Sequence, residues 1–247
     1  MTKLNRAPRR IQFKLDLLED AMRWLSARTG LRRFDPVVVG KCEADAWVSY
    51  YRREWLSFLR ASVGMIASGF NMSRRDALAG AWWVLRANQV WSPYPDNDPD
   101  AARTFMRRFY ALVDRSGLPL DPEEAAYFEV EWWRVHRERQ RESAATEEDI
   151  VEALVDLYSY VYRTDRAPMV PAARHRVEAM RLSDAWVLGG CQLDDSLLAS
   201  ERRELVASYT ALRDAVDRTS SVSTLRMTSR EHPSRGMSEP ADEADCR

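Results

Sequence analysis

Residues 121–142 read DPEEAAYFEVEWWRVHRERQRE, and the pattern of this stretch decides the fold class. Asp121 stands directly before Pro122, as at the start of a helix. Its carboxylate can accept from the first free N–H groups, and proline at the first helical position gives up an N–H that has no partner there. Glu123 and Glu124 follow in the first turn, where the partial positive charge of the helix end favours acids. At 100° per residue, Ala125, Phe128, Trp132, Trp133 and Val135 gather into one apolar arc. A half-buried strand would alternate with period two, and this stretch does not. Two ionisable side chains, Glu129 and His136, point into the same arc about 20° apart.

The same signals recur on both sides. Asp35-Pro36 and Asp98-Pro99 repeat the capped start, and Ser73-Arg-Arg-Asp76 and Thr146-Glu-Glu-Asp149 are box-type caps that open apolar periodic runs. Ile11, Leu15, Leu18, Met22 and Leu25 keep helical spacing near the beginning of the chain, and Leu205, Tyr209, Leu212 and Val216 keep it near the end. The pattern predicts helices near 8–28, 36–68, 74–91, 99–115, 122–142, 147–163, 171–189 and 197–217. No period-two run is bounded by turn residues, and nine glycines are too few for a turn-rich β architecture. The expected fold is all-α: a single-domain bundle of about eight helices over residues 1–218. WSPYPDND, residues 91–98, is too rich in proline for regular structure and reads as an ordered loop carrying Tyr94. From residue 219 the chain turns to Ser, Pro and charge with little to bury, so 219–247 reads as a disordered tail.

Composition narrows the function classes. The 247 residues carry 37 basic and 38 acidic side chains, a net charge of -1, which excludes a polybasic nucleic-acid binder and an acidic solvating protein. Apart from Lys3, Lys14 and Lys41 every basic residue is arginine, and the arginines are scattered among acids, not gathered into one footprint. The expectation is therefore no nucleic-acid partner. Cys42, Cys191 and Cys246 form no spaced pair, which suits a reduced, cytoplasmic setting. The N-terminus turns charged before any signal-like apolar run, and no window approaches the ~18 apolar residues of a membrane span.

Nucleophile elbows, phosphate loops, zinc-protease motifs and paired CxxC are all missing from the sequence, and no motif names a cofactor. The candidate site comes instead from the two helices with ionisable groups on their apolar faces. Glu129 and His136 stand on helix 122–142. On helix 171–189, His175 shares a face with Ala172, Ala179, Leu182 and Trp186, and Glu178 flanks it one turn on. Glu129, His136, His175 and Glu178 together would make a ligand set for Zn, Mn or Fe, although a metal-free pocket or a plain core network would use the same groups. Di-metal bundles place Glu-x-x-His on two helices, whereas this chain has only a single reversed His-x-x-Glu, so no metal is assigned. Trp132 on the same arc and Asn88, beside Gln89 at the end of helix 74–91, complete the candidate lining.

Other tempting clusters have plainer readings. Glu43, Tyr50 and Glu54 fall at the edge of the apolar arc expected for helix 36–68 and read as surface or rim. Asp96, Asp98 and Asp100 surround a helix start and read as capping. Arg103, Arg107 and Arg108 alternate with Phe105 and Tyr110, which reads as a solvated helix face rather than a stacking platform. Of the pairs Trp82-Trp83 and Trp132-Trp133, one member each should pack the core and the other face a second layer, a partner or a pocket wall.

EADAWVSYYRREW, WVLRANQVWSPYPDNDPDAARTFMRRFY, EVEWWRVHRERQ and AMRLSDAWVLGGC resemble stretches of an uncharacterised all-helical protein family of high-GC actinobacteria, over most of residues 36–216. The resemblance implies a compact helical domain in a bacterial cytoplasm and brings no activity. The expected function is binding of a small ligand or metal in a polar pocket between helices 122–142 and 171–189. The alternative is an interaction or regulatory module for a protein partner, with no catalytic site.

Overall fold

The computed structural model describes residues 34–142 and 144–230. Eight α-helices occupy them: α1 Pro36–Tyr51, α2 Trp55–Phe70, α3 Arg74–Trp91, α4 Pro99–Arg115, α5 Pro122–Arg141, α6 Glu147–Tyr162, α7 Val170–Leu188 and α8 Ser196–Arg230, with a 3-10 turn at Ala167–Met169 before α7. No strand occurs among the described residues. The expected helix 8–28 lies outside them, as do residues 231–247 of the expected tail.

The starts form where the capping residues place them. Asp35, Asp98 and Asp121 accept from the N–H groups of Val37, Ala101 and Glu123 at 2.8–2.9 Å. Thr146 and Asp149 exchange hydrogen bonds as a full capping box. Residues 92–98 form the expected loop, in which Tyr94 lies under the guanidinium groups of Arg137 and Arg141.

Two boundaries differ from the sequence reading. The single helix expected over 36–68 is two helices, broken at Arg52–Glu54. Arg53 adopts the left-handed conformation, with φ 61°. Its N–H bonds to the Tyr50 carbonyl at 3.1 Å, and the Glu54 N–H reaches back to Ser49 at 2.8 Å, closing a Schellman turn. An L-residue pays about 1–2 kcal/mol for this conformation. Stacking of the Arg53 guanidinium on Tyr50 and Trp55, 5.5 and 5.7 Å from the ring centroids, offsets part of it. The second difference is at the end of the chain, where α8 stays helical to Arg230, past the change in composition at 219.

Each helix packs mainly on its neighbours in sequence, and α8 returns to pack on α1, so the eight helices close into a ring. One apolar core runs through all of them, with Ile66, Val113, Val130 and Leu154 essentially without exposure. Each such side chain contributes roughly 1.5–3 kcal/mol when fully buried. A smaller group, Ala44, Ala179 and Leu205 with Trp47 against them, joins α1, α7 and α8. The ring closes tightly there: a Cβ on Gly40 would stand 2.8 Å from the backbone nitrogen of Val206. Among the described residues no helix is long and apolar enough to cross a membrane.

Candidate functional site

All eight helices contribute to one cavity at the centre of the ring, of about 120 Å³. Its wall is mostly apolar and aromatic, and three charged side chains interrupt it: Glu43 from α1, Glu129 from α5 and Arg176 from α7. Helix geometry explains why they face inward. On α7, Ala172, Arg176, Ala179 and Ser183 follow at steps of four, three and four, which is one stripe of an α-helix. On α1, Val39, Glu43 and Ala46 follow the same spacing, and all three are buried.

The charged groups are held by one another and by tyrosines. Arg176 bonds through Nη2 to Glu43 Oε1 and through Nη1 to the Tyr158 hydroxyl at 3.2 Å. Its guanidinium lies against the rings of Trp132 and Trp47, 5.2 and 5.8 Å from their centroids. Glu129 accepts from the Tyr110 hydroxyl at 2.7 Å and from Trp132 Nε1–H at 3.2 Å. Glu43 Oε2 and Arg176 Nε have no hydrogen-bond partner among the described residues, although both atoms are fully buried.

Burial pushes the Glu129 carboxyl above its ordinary value, against the hydrogen bond from Tyr110 and the charge of Arg176. Burial also raises Tyr110, Tyr158, Tyr162 and Tyr209, so all four phenols are neutral at ordinary pH. For Arg176 burial works the other way, but the charge of Glu43 beside it outweighs that and holds the guanidinium charged. The cluster therefore combines one fixed cation with two carboxyl groups inside an aromatic wall.

Of the sequence candidates, Glu129 lines this cavity and Trp132 covers the cluster. The four-residue set of Glu129, His136, His175 and Glu178 does not assemble. His136 faces Asp184 across α5 and α7 at 3.4 Å, and Asp184 also accepts from Gln140. His175 lies nine residues before Asp184, about 13.5 Å along the helix axis, and it pairs outward with Glu204 at 2.8 Å, its side chain 45% exposed. Glu178 is tied to Arg181 on the same helix. Among the described residues no three His, Cys, Asp or Glu side chains are grouped to hold a metal ion. Sharing a helical face therefore did not bring the histidines together: His136 meets Asp184 near the end of α7, whereas His175, near its start, turns to Glu204 on α8. Asn88 turns back on its own helix, donating to the Val84 carbonyl at 2.9 Å, and does not line the cavity.

Glu43 corrects the rim placement: it is only 3% exposed. Its arc was drawn on an unbroken helix 36–68. The break at Arg53 restarts the phase, and α1 alone is buried on two sides, by α2 and by α8. Glu54 does sit at the rim, paired with Arg52 at 2.7 Å. Both Trp132 and Trp133 are buried, whereas Trp82 faces outward and Trp83 stacks on Phe105. Arg103 and Arg107 are paired with Asp100 and Glu123, and Arg108 lies over the Trp83 ring.

Sequence reasoning missed Arg176 and the four tyrosines. The stripe of small residues around Arg176 was the available signal, since an arginine within such a stripe has to find its partners inside. No known protein family, no curated protein and no solved structure matches the chain.

Proposed function

We propose that this chain is a cytoplasmic small-molecule-binding protein whose site is the cavity that all eight helices line. One observation carries the reading: a cavity of about 120 Å³ holds a buried polar cluster in which Glu43 Oε2 and Arg176 Nε have no protein partner among the described residues. Leaving such groups unpaired costs on the order of 1–3 kcal/mol each, and a ligand in the cavity beside them can recover that cost. A polar group set in an apolar wall is also how ligand sites fix orientation. Cys42 and Cys191 are free thiols, in keeping with a reducing compartment. The resemblance to actinobacterial helical proteins supports a bacterial setting.

The test is thermal denaturation with small neutral probes, benzene and isopentanol. A probe at 100 times its dissociation constant stabilises the fold by about 2.7 kcal/mol, which is several degrees for a chain of this size. Val84→Phe, which places a ring in the cavity, should abolish the shift. If neither these nor any charged probe of similar size shifts the transition at millimolar concentration, the binding reading is wrong.

The second reading, an interaction module, is favoured by Leu78 and Trp82. They are 54% and 48% exposed and stand one turn apart on the outer face of α3. In that case sedimentation should detect a complex that Trp82→Ser removes.

A further inference from the structure

Resting on the binding reading above, we infer that the occupant of the central cavity is a small organic cation: a protonated amine on an apolar body no larger than about one ring.

Charge is the first argument. The wall carries two carboxyl groups and one guanidinium, and Arg176 already spends Nη1 on Tyr158 and Nη2 on Glu43. Its guanidinium also lies over the rings of Trp132 and Trp47. An anionic ligand would find the remaining N–H groups of Arg176 and the Tyr162 and Tyr209 hydroxyls, but it would also meet both acids. An ammonium group instead finds surplus acceptors, since Glu43 Oε2 has no partner among the described residues and each Glu129 oxygen takes a single donor. An ionised carboxylate offers about four acceptor sites, and an ammonium group brings three donors and no acceptor. With the cation in place the cluster would be neutral overall, which removes the cost of a buried unpaired charge.

The second argument is the wall itself. Tyr110, Tyr158, Tyr162, Tyr209, Phe109 and Trp133 all line the cavity. Aromatic faces attract cations through their quadrupole, most strongly where water is excluded. Burial already pushes the Glu129 carboxyl toward its neutral form; a cation beside it restores the charge and gains the full ion pair. Size sets the third limit. A dry cavity near 150 Å³ is known to hold benzene, so the 120 Å³ here admits a body of about five or six heavy atoms.

Three probes of one shape separate the outcomes: isopentylamine, isopentanol and isovalerate, titrated by calorimetry into the full chain at neutral pH. The amine should bind at least about tenfold more tightly than the alcohol, a difference of 1.4 kcal/mol, and isovalerate should bind worst. In Glu129→Gln the ratio of amine to alcohol affinity should narrow to within about threefold. The inference is overturned if alcohol or isovalerate matches the amine, or if Glu129→Gln leaves the ratio unchanged. If Glu129→Gln does not fold, the ratio in the unmodified protein decides alone. Binding of the neutral probes without preference for the amine removes the cation but keeps the cavity as a ligand site, whereas no binding by any probe, benzene included, removes both.

Discussion

Glu201 stands on α8 with 1% of its surface exposed and neither carboxylate oxygen in hydrogen-bond geometry with a described residue. Burial raises its pKa to about 8; Ser183 and Arg202 ease the charge slightly, while Glu43 and Asp45 on α1 oppose it. The folded chain thus keeps a proton that the unfolded chain releases near the ordinary value of 4.5. The unfolded state binds fewer protons between these two values, so stability is fully present below 4.5 and falls as pH rises toward 8. The melting temperature of the unmodified protein should therefore decline between pH 5 and pH 8.5. Glu201→Gln should flatten that decline and melt several degrees higher at pH 8.5, since about 1 kcal/mol corresponds to roughly 2–4 °C in a chain of this size. Parallel profiles for the two proteins would mean that Glu201 is not the group titrating. Residues of this kind are hard to read in a sequence. Glu129 was legible because it interrupts an obvious apolar arc, but Glu43, Arg176 and Glu201 sit among alanines and polar neighbours that look like surface.

At the scale of the element, helix starts were legible, that of α2 excepted, and the ends of α1 and α8 were not. An Asp-Pro or Thr-x-x-Asp start carries its own hydrogen-bond chemistry, so it needs no tertiary context. Gly117 and Gly190 mark their turns openly, with φ of 109° and 91°. Arg53 takes the same left-handed turn with no such mark, which is why α1 and α2 read as one helix. Gly40 shows context overriding propensity in another way. It lies inside α1, where Ala in place of Gly would ordinarily gain about 1 kcal/mol. Yet its Cβ would meet the backbone of Val206 at 2.8–2.9 Å, and a helix backbone cannot step aside as a side chain can. Gly40→Ala is expected to lose about 1–3 kcal/mol in urea denaturation. Gly64→Ala is the matched control, because its Cβ meets only the Sγ of Cys42, the end of a side chain that can rotate. If the two substitutions cost the same, the contact between α1 and α8 is looser than described.

For the whole molecule, charge balance and arginine pairing point the same way. A net charge of -1 provides no long-range attraction to phosphate, and Arg103, Arg107 and Arg108 of α4 are taken up by Asp100, Glu123 and the Trp83 ring. Binding to mixed-sequence DNA or RNA should be weaker than roughly micromolar at physiological salt. Sub-micromolar binding with a steep salt dependence would reverse this and make α4 the interface.

The sequence by itself determined the helical class, the start of every described helix except α2, and Glu129 as an ionisable group turned inward, because each of these depends on neighbours within about one turn of the chain. Only the tertiary structure decided that α8 closes on α1. That closure brings Glu43, Glu129 and Arg176, from three separate helices, to one cavity and leaves His136 and His175 with different partners. Helical periodicity says which way a side chain points around its own axis. It says nothing of how far along that axis a neighbouring helix lies, and the site was decided by that second coordinate.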